Sequence, residues 1–187
     1  TLSTGFNYSY KNIKNNYLGD ASSLTNTSNN RLYAFGEIKG TLQQLRYTLG
    51  VGASYIHYTQ NGHKYIFWTF RPKASVTYQI NNELQLSYTV QMRDKVSRIA
   101  MTSDAMIRTN SMEWTIGNPD LKPSRDMDHR LQFSYNTNRL QTFVEGYYKQ
   151  CFKPNMAHYE RTDDNKFIYT QINQKEIDAL DAMAYAG

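Results

Sequence analysis

The chain has 187 residues, of which 40% are hydrophobic and 14% aromatic, with sixteen Tyr and a formal net charge of +5. Tyr suits half-buried sheet surfaces and boundaries between water and apolar material, so this composition favours β structure. One cysteine, four scattered histidines and mostly single basic residues argue against a disulfide framework, a structural metal site and a nucleic-acid-binding arm, and no run approaches the ~20 apolar residues of a transmembrane helix.

Alternation of apolar and polar residues predicts about eight β-strands. In the clearest case, which begins at Leu45, Leu, Tyr, Leu, Val and Ala occupy every second position, and polar or small residues occupy the others. In chain order, the predicted strands are 2–11, 31–41, 45–55, 66–80, 84–93, 130–135, 139–152 and 165–173. Residues 175–187 stay unassigned, because the last of them fit a short helix and a strand equally well.

The connections between these strands differ in length in a regular way. In order, they are 12–30, 42–44, 60–64, 81–83, 94–129, 136–139 and 153–164. Apart from the hairpin signal Asn61-Gly62, the odd-numbered connections are the long ones, and successive antiparallel strands place odd and even connections at opposite ends. One end should therefore carry tight turns and the other long loops, as in an outer-membrane barrel with short periplasmic turns and long extracellular loops.

In each predicted strand the apolar residues form one row and the polar residues form the other. These rows predict the two faces of an antiparallel up-and-down meander. The polar row carries charges at mid-strand, which suits a water-filled lumen. The candidates to face the lumen are Arg46, Arg71, Lys73, Arg93, Arg130 and Glu145, and those to face lipid are Leu49, Val51, Ala74, Val76, Leu86 and Val90. The cations could attract an anionic ligand, or they could bond to a plug or to one another, and we expect the second.

A soluble β-barrel or sandwich that binds a ligand or partner is the main alternative, and a surface adhesin is a third. In a soluble protein the apolar row would point inward. Strands longer than ten residues, charges at mid-strand and aromatic residues near strand ends favour an all-β transmembrane barrel.

The segment GNPDLKP, residues 117–123, predicts a stiff loop before the strand at 130–135. Each proline keeps the residue before it out of the helical region, and Gly117 can supply a positive φ. We expect Leu121 to pin the loop to the rim of the sheet, with Asp120 and Lys122 in water. The predicted structural residues are Gly117, Asn118, Pro119, Leu121, Lys122 and Pro123.

GNPDLKP followed by an alternating strand resembles the Gly-Asn-Pro-x-Leu-Lys-Pro signature of TonB-dependent receptors. Upstream, FRPKASVTYQINNELQLSYTVQMRDK is similar to the Pro-Lys, strand, turn, strand, Arg passage of that family. The resemblance covers about residues 31–173 and is closest to outer-membrane barrel proteins of the Bacteroidetes type. The chain departs from the pattern at Ser124, where the family commonly has an acidic residue, and in INQKEIDAL, which keeps half of the later Asn, Gly, Glu pattern.

The resemblance implies the C-terminal part of a barrel of about 22 strands that takes up a bulky nutrient across the outer membrane of a Gram-negative bacterium. The implied partners are outer-membrane lipid, a plug domain and the TonB complex in the full-length protein, and a nutrient ligand. We expect residues 1–187 to be a single domain, a fragment of an outer-membrane β-barrel from which the plug and the coupling segment are absent.

No pattern predicts an enzyme. Asp163 and Asp164 lie in the turn-like segment RTDDNK, and PSRDMDHR has no Gly-x-Ser-x-Gly elbow to support a nucleophile. We predict no catalytic residue, metal site, cofactor or nucleic-acid partner. Aromatic residues of the predicted long loops, Tyr17, Trp114 and Tyr159, could stack on sugars, although Trp114 could instead anchor its loop.

Overall fold

Two β-sheets make up the fold in the computed structural model, which describes residues 1–17, 23–97, 99–103 and 105–187. The elements are β1 (Leu2–Tyr17), β2 (Ser23–Leu42), β3 (Leu45–Gln60), β4 (His63–Gln79), β5 (Leu84–Lys95), α1 (Ile99–Thr102), β6 (Met106–Arg108), β7 (Glu113–Ile116), β8 (Ser124–Asn136), β9 (Gln141–Phe152), β10 (Asn155–Arg161), β11 (Phe167–Asn173) and β12 (Glu176–Ala186). The larger sheet, here called the wall, has eight strands in the order β1-β2-β3-β4-β5-β8-β9-β12. The smaller, here called the loop sheet, has the order β10-β11-β7-β6.

The wall is an antiparallel meander, which confirms the predicted fold class. Its register keeps each period-2 row on one face, since Leu49 lies opposite Ala74, and Gly50 lies opposite Lys73. We call the two sides the apolar face, which carries Leu49 and Ala74, and the polar face, which carries Gly50 and Lys73. A slip by one residue would exchange the faces along a whole strand.

Burial in the wall is reversed relative to a soluble protein. Leu49 and Val51 on the apolar face are about half exposed, at 53% and 47%, whereas the buried Ile56 and Tyr58 lie on the polar face. Tyr58 is covered there by the loop 117–123, which contributes the buried side chain of Leu121 and the Pro119 carbonyl that accepts from the Tyr58 hydroxyl. An extended apolar surface that faces outward is what a bilayer covers, so this arrangement contradicts the soluble alternative.

The described connections confirm the predicted asymmetry of the two ends. At one end, short turns at 43–44, 80–83 and 137–140 join successive strands. At the other end, 96–123 and 153–175 are long, and the hairpin at Asn61-Gly62 is tight, with φ of 48° and 86° at its two residues. The remaining connection at this loop end, 18–22, lies outside the described residues.

The predicted connection 12–30 is wrong where the structure describes it, because residues 12–17 and 23–30 belong to β1 and β2. Asn, Ser and Thr favour turns by local bonding, and that tendency produced the error. In the structure, β2 pairs with β1 and β3, and Thr25 and Thr27 are buried. Pairing with neighbouring strands has overridden the local preference.

Two further predictions about strands are corrected. The connection 94–129 contains α1, β6 and β7, and it ends earlier than predicted, because β8 begins at Ser124. The strand at 165–173 forms, as β11, but in the loop sheet, and the unassigned tail supplies the eighth strand of the wall, β12. No helix among the described residues is long and apolar enough to span a membrane.

Pro72 ends the ladder between β4 and β5. These strands pair only from Lys73 to Gln79, although β4 pairs with β3 back to His63. The Gln79 backbone N–H donates to Gln44 O of the β2–β3 turn, and the Ile80 backbone N–H donates to Leu84 O of β5. Backbone N–H groups at odd positions along β4 therefore point toward β3, and those at even positions point toward β5. Pro72 is an even position without an N–H, and it therefore cannot continue the ladder to β5. A gap opens beyond it at the loop end of the wall.

Candidate functional site

Every predicted lumen residue lies on the polar face and has a polar partner. Arg46 Nη2 donates to Gln85 Oε1 at 2.9 Å, and Arg93 Nε donates to Asp128 Oδ2 at 2.7 Å. The ion pairs on this face are Arg71–Asp94 (3.0 Å), Lys73–Glu37 (3.2 Å), Arg93–Asp128, Arg130–Glu145 (3.3 Å) and Lys149–Asp126 (2.7 Å). The cations are thus balanced by neighbouring carboxylates or held by an amide, which supports the expectation that they bond to one another.

Asp94 belongs to this network, although the sequence analysis gave it no role. In β5 it occupies a position that alternation assigns to the apolar face. Its side chain is nevertheless 1% exposed and contacts two arginines of the polar face. Arg31 Nη2 lies 3.1 Å from Asp94 Oδ2, and Arg71 Nε lies 3.0 Å from Asp94 Oδ1. The gap beyond Pro72 lets the carboxylate point toward the polar face. Ion pairs of Asp94 therefore connect β5 to β2 and β4 where the β4–β5 hydrogen-bond ladder is missing. A proline inside a strand was the available signal.

The loop 117–123 packs on the polar face through Leu121, which is 2% exposed. Leu121, Tyr58, Phe67 and Thr102 surround a small void at the loop end. Asp120 and Lys122 on either side are exposed. Leu121 therefore lies where the loop-brace hypothesis requires an apolar contact.

Backbone and amide groups fix the first half of this loop. The Asn118 backbone N–H donates to Met101 O at 2.8 Å, and the Asn118 side-chain Oδ1 accepts from the Asp120 backbone N–H at 2.9 Å. Gly117 does not supply a positive φ, because the described glycine with that conformation is Gly62. Instead, a Cβ at Gly117 would collide with the backbone of Ser103. Glycine is needed there for close approach of two backbone segments.

Asn173 fixes the second half, and sequence reasoning gave it no role. Its Oδ1 accepts from the Lys122 N–H at 2.8 Å, and its Nδ2 lies within hydrogen-bond distance of Lys122 O (3.1 Å), Lys153 O (2.9 Å) and Asn155 Oδ1 (2.7 Å). One amide side chain thus joins the start of β8 to the end of β9 and the β10–β11 hairpin. The incomplete Asn, Gly, Glu pattern in INQKEIDAL contained this asparagine, and that was the signal.

Two of the three aromatic residues predicted to lie in long loops, Trp114 and Tyr159, lie in strands of the loop sheet. Trp114 in β7 packs under the Arg108 guanidinium, 5.8 Å from the ring centroid, so it anchors its own sheet. Tyr159 is 56% exposed and pairs with Tyr169, with ring centroids 5.1 Å apart. The Tyr17 side chain lies outside the described part of the chain.

Asp163 and Asp164 lie in the turn between β10 and β11. Asp164 accepts from the Thr162 hydroxyl and pairs with Lys166, and these contacts lower the pKa of its carboxyl. Thr162 also bonds to the Lys166 backbone and closes the turn. Among the described residues, no group of three or more His, Cys, Asp or Glu could hold a metal ion.

One comparison with known proteins identifies a family. Residues 1–177 match the family model described as TonB dependent receptor-like, beta-barrel. No curated protein matches the sequence.

Solved structures of receptors and transporters resemble this fold. The ferric enterobactin receptor PfeA of Pseudomonas aeruginosa superposes with a TM-score of 0.69 at 12% identity, over 98% of this chain and 30% of that one. The FrpB iron transporter of Neisseria meningitidis gives 0.68 at 13% identity, over 99% and 30%, and the copper transporter OprC gives 0.68 at 12%, over 99% and 34%. The chain thus spans about a third of the length of these proteins.

Proposed function

Because this chain belongs to the TonB-dependent receptor-like β-barrel family, we propose that it forms part of the wall of a receptor that takes up a nutrient through the outer membrane. The localisation follows from the family, whose members are outer-membrane proteins of Gram-negative bacteria. The matched structures are transport receptors, and we assign no catalytic activity to the chain. Its assignment to the Bacteroidetes type remains a prediction.

The observation that carries the proposal is the reversed burial of the wall. The exposed apolar face would meet lipid, and the polar face, with its ion pairs and the packed loop 117–123, would line the lumen. In the full-length protein a plug domain would contact this polar face, and the TonB complex would supply energy. We expect the ligand to be a bulky nutrient, as the family resemblance implies.

The orientation of the wall can be tested directly. Spin labels introduced at Val51 and at Arg71 in the full-length protein in lipid vesicles should report opposite environments. We expect lipid accessibility at Val51 and aqueous accessibility at Arg71, because the period-2 register places them on opposite faces. Aqueous accessibility at Val51 together with lipid accessibility at Arg71 would reverse the assignment of the two faces.

Energised uptake needs a separate experiment in cells. A strain without the gene and a strain without the TonB protein should lose growth on the same nutrient when it is the sole source, across a panel of iron chelates, cobalamin and oligosaccharides. The reason is that both strains would lack one component of the same transport step. Uptake that depends on the gene but continues without TonB would indicate a passive channel and contradict the proposal.

A further inference from the structure

Two long connections meet at the loop end of the wall, one between β5 and β8 (96–123) and one between β9 and β12 (153–175). They share the loop sheet, because β7 of the first connection pairs in parallel with β11 of the second. Next to the wall, Asn155 Nδ2 of the second connection donates to Ser97 Oγ of the first at 2.6 Å. The connections are therefore bonded to each other both beside the wall and inside the loop sheet.

Two asparagine side chains add bonds between the same connections. Asn118 Nδ2 of the first connection donates to Gln171 O of the second at 2.9 Å. Asn173 of the second connection accepts from the Lys122 backbone N–H at 2.8 Å and donates to the Lys122 carbonyl oxygen at 3.1 Å. A movement that separated the two connections would therefore break several hydrogen bonds at once.

The hydrogen bonds from the first connection to the polar face of the wall are longer. Thr25 Oγ1 of β2 lies 3.2 Å from Ser103 Oγ, and the Tyr58 hydroxyl of β3 donates to Pro119 O at 3.5 Å. Leu121 adds an apolar contact beside Tyr58. Hydrogen bonds weaken with distance, so these two bonds hold less strongly than the bonds of 2.6–2.9 Å between the connections.

Polar side chains without partners lie beneath the first connection. Thr27 of β2 and Gln60 of β3 are opposite each other on the polar face, and they are 1% and 3% exposed. In the described part of the chain, Thr27 Oγ1 and both amide atoms of Gln60 have no hydrogen-bond partner. In the same row of β2, Thr25 bonds to the first connection and Asn29 lines a void with it, so this connection covers Thr27 between them. Burying a polar group without a bond costs free energy, and water removes this cost when the connection lifts.

We propose that the described residues of 96–123 and 153–175 form one unit, here called the cover, which is poised to lift from the polar face as a whole. The bonds between the two connections make them move together. The groups without partners at Thr27 and Gln60 favour the open state, and the packing of Leu121 favours the closed state. The inference concerns how the loop end of the wall opens, and it does not rest on the proposed uptake.

Distances between pairs of spin labels test the proposal in the full-length protein in micelles, with Cys151 replaced by Ser. One pair joins Asn138, in a tight turn of the wall, to Ser111 at the tip of the first connection. The second pair joins Asn138 to Asp163 at the tip of the second connection. All three positions are exposed. Each pair should give a closed and an open distance, and the ratio of open to closed molecules should be the same for both pairs, because one unit moves.

Substitutions at the interface beneath the cover should shift this ratio equally for both pairs. Thr27→Val keeps the branched shape of the side chain and removes the hydroxyl without a partner, so it should lower the ratio of open to closed molecules about fivefold or more. Leu121→Ala should raise the ratio about 30-fold or more, because it removes the apolar contact of the closed state. The matched control, Thr48→Val, makes the first change on the polar face near the tight turns and should leave the ratio unchanged.

Three results would overturn the proposal. A shift at Ser111 without an equal shift at Asp163 would show that the two connections open independently. A single distance for each pair in Leu121→Ala would show that the cover does not lift. A ratio that is unchanged or higher in Thr27→Val would show that the buried hydroxyl does not favour opening. If Leu121→Ala does not fold, as judged by heat-dependent electrophoretic mobility, the comparison of Thr27→Val with the unmodified protein decides all three points.

Discussion

Replacing Leu121 by Ala should release the segment 96–123 from the polar face of the wall. Leu121 is 2% exposed and meets Tyr58 and Thr102, so the substitution removes buried apolar atoms and leaves a cavity. Such changes cost about 2–4 kcal/mol. The free energy of opening of this segment should fall by that amount, and amide hydrogen exchange between residues 105 and 123 should become about 30-fold faster or more, because exchange follows local opening. The measurement uses the full-length protein in micelles.

Two variants control for this result. Leu140→Ala makes the same chemical change at a residue that is 41% exposed at the end of tight turns, and it should leave exchange in 105–123 unchanged. Asp120→Ala alters an exposed side chain inside the same loop and should have little effect. Pro119→Ala should act in the same direction as Leu121→Ala but less strongly, by about 0.4–1 kcal/mol, through the entropy of the opened loop. If Leu121→Ala abolished ligand binding without faster exchange, the loop would be a recognition surface and not a brace.

The strands of the wall could be predicted because their information is local. Over most of β3, β4 and β5 every second side chain is apolar, and this pattern predicted both faces of the sheet. The turn chemistry of Asn61-Gly62 marked one hairpin in the same way. Wherever the signal was repeated along a few neighbouring residues, the structure agrees with it.

The errors have a common physical cause, which is that the missing information lay in distant parts of the chain. Residues 23–30 form a strand because β1 and β3 pair with them, not because of their own preference. In the tail, β12, apolar and polar residues do not alternate regularly, and the strand forms by pairing with β9. Asn173 and Asp94 act through partners far away in sequence, and a single sequence does not reveal such partners.

Asp94→Asn is expected to give the second large effect. The carboxylate is 1% exposed and pairs with both Arg31 and Arg71, so the substitution leaves two partly buried arginines with a neutral partner. Loss of one member of a buried ion pair commonly costs about 3 kcal/mol, and the partial exposure of the arginines reduces this to about 2 kcal/mol. The free energy of unfolding in micelles should fall by this amount, as measured by denaturant titration. Asp163→Asn, which removes the same charge from an exposed turn, should change it by less than about 0.5 kcal/mol.

The location of the effect distinguishes a charge bridge from a general loss of stability. Because the β4–β5 ladder stops at Pro72, Asp94 is the group that joins β5 to β4 and β2 above the gap, and its loss should speed amide exchange at residues 66–71 more than at 73–79. A double-mutant cycle with Arg71→Gln should give a coupling of about 1 kcal/mol or more, since the two side chains act as a pair. Additive effects of the two substitutions, with uniform exchange along β4, would show that the ion pair does not close the gap and that the wall is held there by packing alone.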